Sequence, residues 1–258
     1  MVSSVRWSLA VVVGLVLFPS ALVAQTAGDT APGLQLPAPF GIGLTLYDQT
    51  QDYALQNLTL GLPGIDGDGF SNLPVDNRTD SYHLKLDWWA LPFLNLYAIG
   101  GRLETTTTVY LRDADVQLPI PLGNLRIEND GWVYGGGVTL AVGWDRWFGT
   151  VSTTYTRADL EVTDGSVEAW VVTPKVGWTR DAAAVYVGAM YQDAEERHRG
   201  TYELPFIGPV PFEVVLGEAS HWSGLLGATV GFGEHTVLLL EGGFGARKSV
   251  MVSLEYRP

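Results

Sequence analysis

The chain has no cysteine. That excludes disulfides, thiolate metal sites and a lipid anchor carried on a cysteine. Charged residues are scarce, 17% of the 258, yet no stretch after residue 30 supplies the ~20 consecutive apolar residues of a membrane helix. Long amphipathic patterns of helical period are missing as well. What is abundant is glycine, 31 residues against a usual share of ~7%, and aromatic residues, with nine Trp, eleven Tyr and nine Phe. An apolar, glycine-rich, aromatic-rich chain without membrane helices is either a large soluble β-protein or a membrane β-barrel. The formal net charge of −13 argues against nucleic acid as a partner.

Residues 1–24 carry the features of a secretory signal peptide: Arg6, an apolar run from Trp7 to Phe18, a break at Pro19-Ser20, and small residues up to Ala24. Residues 25–40, rich in Ala, Pro and Gly, are expected to be a periplasmic leader, and residues 41–258 the barrel domain.

The clearest pattern lies between Thr79 and Arg112. Tyr82, Leu84, Leu86 and Trp88 alternate with Ser81, His83, Lys85 and Asp87, the period of two that marks a strand with one apolar and one polar face. A tight turn at Ala90-Leu91-Pro92 follows, and a second long segment returns. Strands above about ten residues suit a hairpin that crosses a bilayer. Similar segments recur at 41–57, 131–145, 149–160, 167–180, 182–199, 213–232, 235–245 and 249–257. The predicted fold is all-β, a transmembrane antiparallel up-and-down barrel of about ten strands. Expected loops at 58–77, 113–130 and 200–212 are Gly- or Pro-rich.

Connection lengths alternate. The links after the second, fourth, sixth and eighth strands are short, and those after the first, third, fifth and seventh are longer, as periplasmic turns and extracellular loops are. Trp88, Trp89, Phe93, Trp144, Trp147, Phe148, Trp178, Phe232 and Tyr256 all fall at short-turn ends, the place of an interfacial aromatic girdle. A weak repeat relates Tyr97, Leu118-Pro119 and Trp132 to Tyr186, Leu204-Pro205 and Trp222. Duplication and shared loop composition both explain it.

With this pattern the chain resembles a Gram-negative outer-membrane β-barrel over residues 41–258. The resemblance implies export by the signal peptide, lipids and lipopolysaccharide of the outer membrane as surroundings, assembly by the barrel-assembly machinery, and no cofactor. Such chains end in a strand with a terminal aromatic. Here Val250, Val252, Leu254 and Tyr256 alternate properly, but Arg257-Pro258 follow.

If Leu, Val and Trp face lipid, then His83, Lys85, Asp87, Lys175, Glu241 and Glu255 point into the lumen, with Arg102 and Glu104 assigned there too. Charges in a narrow lumen are expected to pair, because an unpaired buried charge costs several kcal/mol. The leading functional expectation is a structural or weakly pore-forming barrel for small solutes, filled by an ion-pair network and without catalysis. One alternative resembles the omptin plan, a ten-stranded hydrolase with rim acids and an Asp–His couple, for which Asp113, Asp115, Asp193 and His198 are the candidates. Another is adhesion or partner binding through long extracellular loops, where the Pro-rich segments 118–122 and 204–212 could act as a lid or dock. Asp66, Asp68 and Asn72 are spaced like oxygen ligands of Ca²⁺ but lack the bidentate Glu, and no metal is assigned.

Overall fold

The computed structural model describes residues 38–60, 74–110, 124–161, 165–204, 208–218 and 220–258. They form eleven strands: β1 (Phe40–Leu60), β2 (Pro74–Leu91), β3 (Leu94–Val109), β4 (Leu125–Trp144), β5 (Trp147–Leu160), β6 (Gly165–Arg180), β7 (Ala183–Leu204), β8 (Gly208–Glu218), β9 (Trp222–Phe232), β10 (Thr236–Gly245) and β11 (Arg247–Tyr256). The expected signal peptide and most of the expected leader, residues 1–37, lie outside the described residues.

Each strand from β1 to β7 pairs antiparallel with the next. β7 then pairs with β9, β9 with β10, β10 with β11, and β11 returns to β1. Ten strands therefore close a barrel. β8 and β9 run one after the other along the same edge of β7, β9 beside Ala183–Tyr191 and β8 beside Glu195–Leu204. They are two halves of one long strand, which reconciles eleven elements with a ring of ten. A walk along paired residues from Ala183 passes Val230, Leu238, Leu254, Leu44, Leu84, Gly100, Tyr134, Arg157 and Glu168. It re-enters β7 at Glu195, twelve residues further on. A closed sheet with such a stagger has strands tilted by about 40°.

At one end, here the turn end, the connections are tight. Asp145 and Asp181 open two of the turns with φ of 54° each, and Gly233 opens a third with φ of 64°. Left-handed backbone is strained for most side chains and tolerated by Asp and Gly, so these residues stop the strands where they do. At the far end the strands outrun expectation. β7 extends to Leu204 and β8 begins at Gly208, so most of the predicted 200–212 loop is a hairpin. Pro209 and Pro211 fit there because, among the described residues, those before Phe212 pair with β7 alone. On an edge the missing N–H is not needed. Likewise β4 starts at Leu125 and β2 at Pro74, inside segments expected to be loops.

The final hairpin is short. β10 and β11 turn at Gly245-Ala246, and beyond that turn β8 takes their place, pairing Phe212–Glu218 with Tyr53–Leu60 of β1. The wall therefore narrows from ten strands near the turn end to eight at the far end.

The outer face repeats on every strand. Exposed Ile42, Leu44, Leu46, Leu84, Leu86, Leu140, Val142, Val176, Val185, Val187, Leu226, Val230, Leu240, Val250 and Leu254 form an apolar belt. Below it stand Phe40, Trp88, Phe93, Trp144, Trp147, Phe232 and Tyr256, all exposed, with half-buried Trp178. Above it stand Tyr82, Trp132, Tyr134, Trp170, Trp222 and Phe244. Half-buried Tyr155 and Tyr191 join this upper line, with their ring centroids 5.1 Å from Trp170 and 5.2 Å from Trp222. An apolar band about 25 Å tall between two aromatic girdles is the outer surface of a membrane-spanning barrel. The fold is that of an outer-membrane β-barrel. Just beyond the far girdle the outer face turns to charge, with Asp48, Asp80, Arg102, Asp130, Arg157, Glu168, Asp193 and Lys248.

Candidate functional site: the barrel lumen

Strand alternation delivers the other set of side chains to the interior. Within the membrane band much of this set is small or polar, Gly43, Thr45, Gly135, Gly137, Thr139, Ser152, Thr154, Thr173, Gly188, Gly227 and Ser253, with Ile99, Val171 and Leu239 among the larger apolar members. Large inward side chains lie over inward glycines of the next strand. Tyr97 lies over Gly137, Phe148 over Gly177 and Tyr186 over Gly227, and a Cβ at any of these three glycines would collide with the ring above it. Glycine here makes room inside a tilted, crowded ring.

Two ionic clusters sit in this layer. In the first, Lys85 pairs with Glu255 across β1. Buried Asp87 accepts from Arg257 Nη2 at 2.6 Å and from Asn95 Nδ2 at 2.7 Å. Arg257 Nη1 also reaches the carbonyl of Ala38 at 3.3 Å, where the chain enters the barrel. In the second, Lys175 pairs with Glu241, whose Oε2 also accepts from the Tyr186 hydroxyl at 2.7 Å. The two clusters share a geometry. The Lys85 ammonium lies 5.9 Å from the centre of the Tyr97 ring, and that of Lys175 lies 4.7 Å from the centre of Tyr186. In each case the Lys strand is followed by the Tyr strand and then by a strand presenting the glycine beneath the ring.

The far-end interior is different. Leu103, Ala158 and Leu160 form a buried apolar cluster with Val133 and Val167 packed against it. Val75, Val109, Ile127 and Tyr53 are buried around it. Some of the polar groups among them are matched to one another. Asn77 Nδ2 donates to Thr105 at 3.0 Å and to Thr107 at 2.9 Å. Between the two layers lies Arg247, 1% exposed. Its Nε donates to Gln51 Oε1 at 2.8 Å, its Nη1 lies 3.3 Å from the Met190 sulfur, and its backbone N–H donates to Ser223 Oγ at 3.2 Å. An eight-stranded ring is just wide enough for side chains to fill, and among the described residues this cluster and Arg247 lie buried inside it.

Of the residues assigned to the lumen, His83, Lys85, Asp87, Lys175, Glu241 and Glu255 face the interior. Arg102 and Glu104 do not, and that assignment is corrected. Arg102 is paired with outward Tyr82 and lies on the outer wall, 4.9 Å from the Trp132 ring, bridging Asp130 at 2.8 Å and Glu161 at 2.7 Å. Glu104 shares that face and is exposed. Both stand beyond the far girdle, where the outer face meets water and charge costs nothing. Trp89 and Phe148 are corrected in the other direction. Each adjoins a girdle residue, Trp88 or Trp147, and consecutive strand residues point to opposite faces, so both point inward at the turn end. The far girdle was missed altogether, although Trp132 and Trp170 each stand two residues from the charge line in sequence, beside Asp130 and Glu168.

Asp193 is exposed on the outer face, away from the mouth. His198 pairs through its backbone with Val214. Asp113, Asp115, Asp66, Asp68 and Asn72 lie outside the described residues. Among the described residues no three His, Asp or Glu side chains come together as metal ligands.

No protein-family model and no curated protein matches the chain. Among solved structures it is similar to the outer membrane protease OmpT of Escherichia coli, at 8% identity over 85% of this chain and 97% of that one, with a TM-score of 0.47. It is also similar to the translocator domain of the autotransporter NalP of Neisseria meningitidis, at 11% identity over 86% and 89%, TM-score 0.41. An outer membrane channel from Pseudomonas putida F1 shows 11% identity over 88% and 98%, TM-score 0.38. The assignment to outer-membrane barrels rests on the closed ring, the belt and the girdles described above.

Proposed function

We propose that the chain is exported by its N-terminal signal and inserts in the outer membrane with the turn end in the periplasm and the far end outside. It serves there as a structural barrel, non-conducting at rest and without catalysis. The observation that carries this reading is the packed far-end interior. An aqueous path along the axis would have to pass Leu103, Ala158 and Leu160 on one side and buried Arg247 on the other. The membrane layer is polar but tied up in ion pairs, so it stiffens the ring and leaves little free charge to select solutes. The long links and the protruding eight-stranded rim are what the outside meets, and the girdles seat the ring among outer-membrane lipid and lipopolysaccharide.

Purified protein in a planar bilayer is the test. Electrical silence is expected. Stable small conductance steps would replace the sealed scaffold with a narrow pore. Protein recovered from the soluble periplasmic fraction would reject the membrane assignment, and mature protein beginning at Gln25 would establish export.

A further inference from the structure

We infer that the β10–β11 hairpin is a charge-keyed closing latch: its four inward charged side chains select the register and the strand number of the ring. The need for a key lies on the outer wall. The lipid faces of the strands that meet at this hairpin are nearly uniform: Ile42, Leu44 and Leu46 on β1, Leu226, Ala228 and Val230 on β9, Leu238 and Leu240 on β10, Val250, Val252 and Leu254 on β11. A slip of two residues keeps every one of these facing lipid, so the hydrophobic pattern does not distinguish the native register from its neighbours.

A second competitor is built into the topology. β8 already pairs with β1 from Tyr53 to Leu60. Continuing that pairing downward would lay β9 beside β1 and close a ring of eight, leaving β10 and β11 out.

The interior separates these states. Glu241, Arg247, Glu255 and Arg257 all lie on the last hairpin; Arg257 is also 3.8 Å from Glu255 beside it, but each of the four has a partner elsewhere. Glu241 meets Lys175 on β6, Arg247 meets Gln51 on β1, Glu255 meets Lys85 on β2, and Arg257 meets Asp87 on β2. Three of the ties reach past the neighbouring strand, across β1 on one side and across β7 and β9 on the other, while Arg247 and Gln51 are direct partners on β11 and β1. In the slipped ring these partners are displaced, and in the ring of eight Lys85, Asp87 and Lys175 are left inside without them. Buried charges stripped of partners are strongly unfavourable, so the latch acts as much against the wrong rings as for the right one.

Thr45 and Ser253 are directly opposed across the β1–β11 seam, with their hydroxyls 2.9 Å apart, and the chain has no cysteine of its own. Thr45→Cys with Ser253→Cys therefore reports the native seam by oxidative crosslinking. Pairing Thr45→Cys with Met251→Cys or Glu255→Cys reports slips of two, and Gln49→Cys with Ser223→Cys reports the ring of eight, where the β1–β8 register, carried down with the one-residue shift between the β7–β8 and β7–β9 pairings, sets these two opposite each other. In the otherwise native full-length protein only the 45–253 link should form. In a lumen neutralised by Lys85→Met, Glu255→Gln, Lys175→Met and Glu241→Gln, that link should fall severalfold while slipped or eight-strand links appear (the 45–255 pair is read with Cys replacing the Gln). Full yield of the 45–253 link alone in the neutralised protein overturns the proposal. If that protein does not fold, Lys175→Glu should lose the native link and Lys175→Glu with Glu241→Lys should regain it. Absence of rescue overturns the proposal equally.

Discussion

The membrane layer and the far-end layer are made by the same strands, yet their interiors follow opposite rules. In the membrane layer the outside is apolar and the inside holds glycine, hydroxyls and paired charge. Past the far girdle the outside carries Asp48, Asp80, Arg102 and Arg157 while the inside gathers a Leu, Val and Ala cluster beside buried Asn77, Thr105 and Thr107. The period of two never changes. What changes is the solvent outside the wall, and with it which face must be apolar. A strand such as β3 shows both regimes in turn. Leu96 faces lipid opposite inward Tyr97, and a few residues later Arg102 faces water opposite buried Leu103.

The contrast can be broken most severely at its core. Leu103→Asp places a carboxylate in an apolar cluster with no partner in reach, a loss of several kcal/mol. The folded, heat-modifiable form on semi-native gels should melt far earlier, and any protein that still folds should leak in a bilayer. If Leu103→Asp matches the native protein, the far-end interior is not a packed core. Gly227→Leu strikes the other layer. The new side chain must displace Tyr186 and with it the hydrogen bond to Glu241, an overpacking cost of about 1–3 kcal/mol. A lowered unfolding midpoint without conductance is expected. An unchanged midpoint would mean the ring over Gly227 is free to move.

The gentlest probe lies on the charge line, outside the membrane band. The Asp48 carboxyl is held above the usual range by the hydrogen bond it shares with Asp80 and by partial burial, against the pull of Arg78. A raised folded-state pKa means that the fold keeps this proton after the unfolded chain has released it. The contribution is therefore fully present below the ordinary value of about 3.9 and is lost as the pH climbs through Asp48's own titration. Asp48→Asn should remove that step from a stability-against-pH curve and leave stability at neutral pH equal to or slightly above that of the native protein. A larger loss at neutral pH would show that the Asp48–Arg78 contact at 2.7 Å outweighs the repulsion between the two acids.

Much of this was legible in the residues because the bilayer imposes a strict alternation. Leu84, Leu86 and Trp88 against Lys85 and Asp87 leave one sensible facing for β2, and the short turns announce themselves through Asp145 and Asp181. The errors share one cause, the carrying of membrane logic beyond the membrane. Arg102 and Glu104 were placed inside because they are charged, although parity with Leu96 already put them outside. The segment 200–212 reads as a loop on its prolines, since nothing local reveals that Pro209 and Pro211 sit on a strand paired with β7. The narrowing from ten strands to eight depends on β1 exchanging β11 for β8, a partnership between residues about 160 positions apart in the chain, and no periodicity records it.

The Lys–Tyr–Gly arrangement, present once with Lys85, Tyr97 and Gly137 and again with Lys175, Tyr186 and Gly227, bears on how such a wall came to its present girth. The two sets stand a quarter-turn or more apart, nearly the same distance along the chain, and they coincide with the sequence repeat that joins Trp132 to Trp222. A gene that lengthens by copying a block of four strands enlarges the circumference and at the same stroke supplies the new arc with its own lining. The ancestor of this ring need not have rebuilt its interior to grow. An arc copied in that way would arrive with a cation, a ring to rest it on and a hollow to hold the ring, and only the last hairpin would have to bring the acids that answer them.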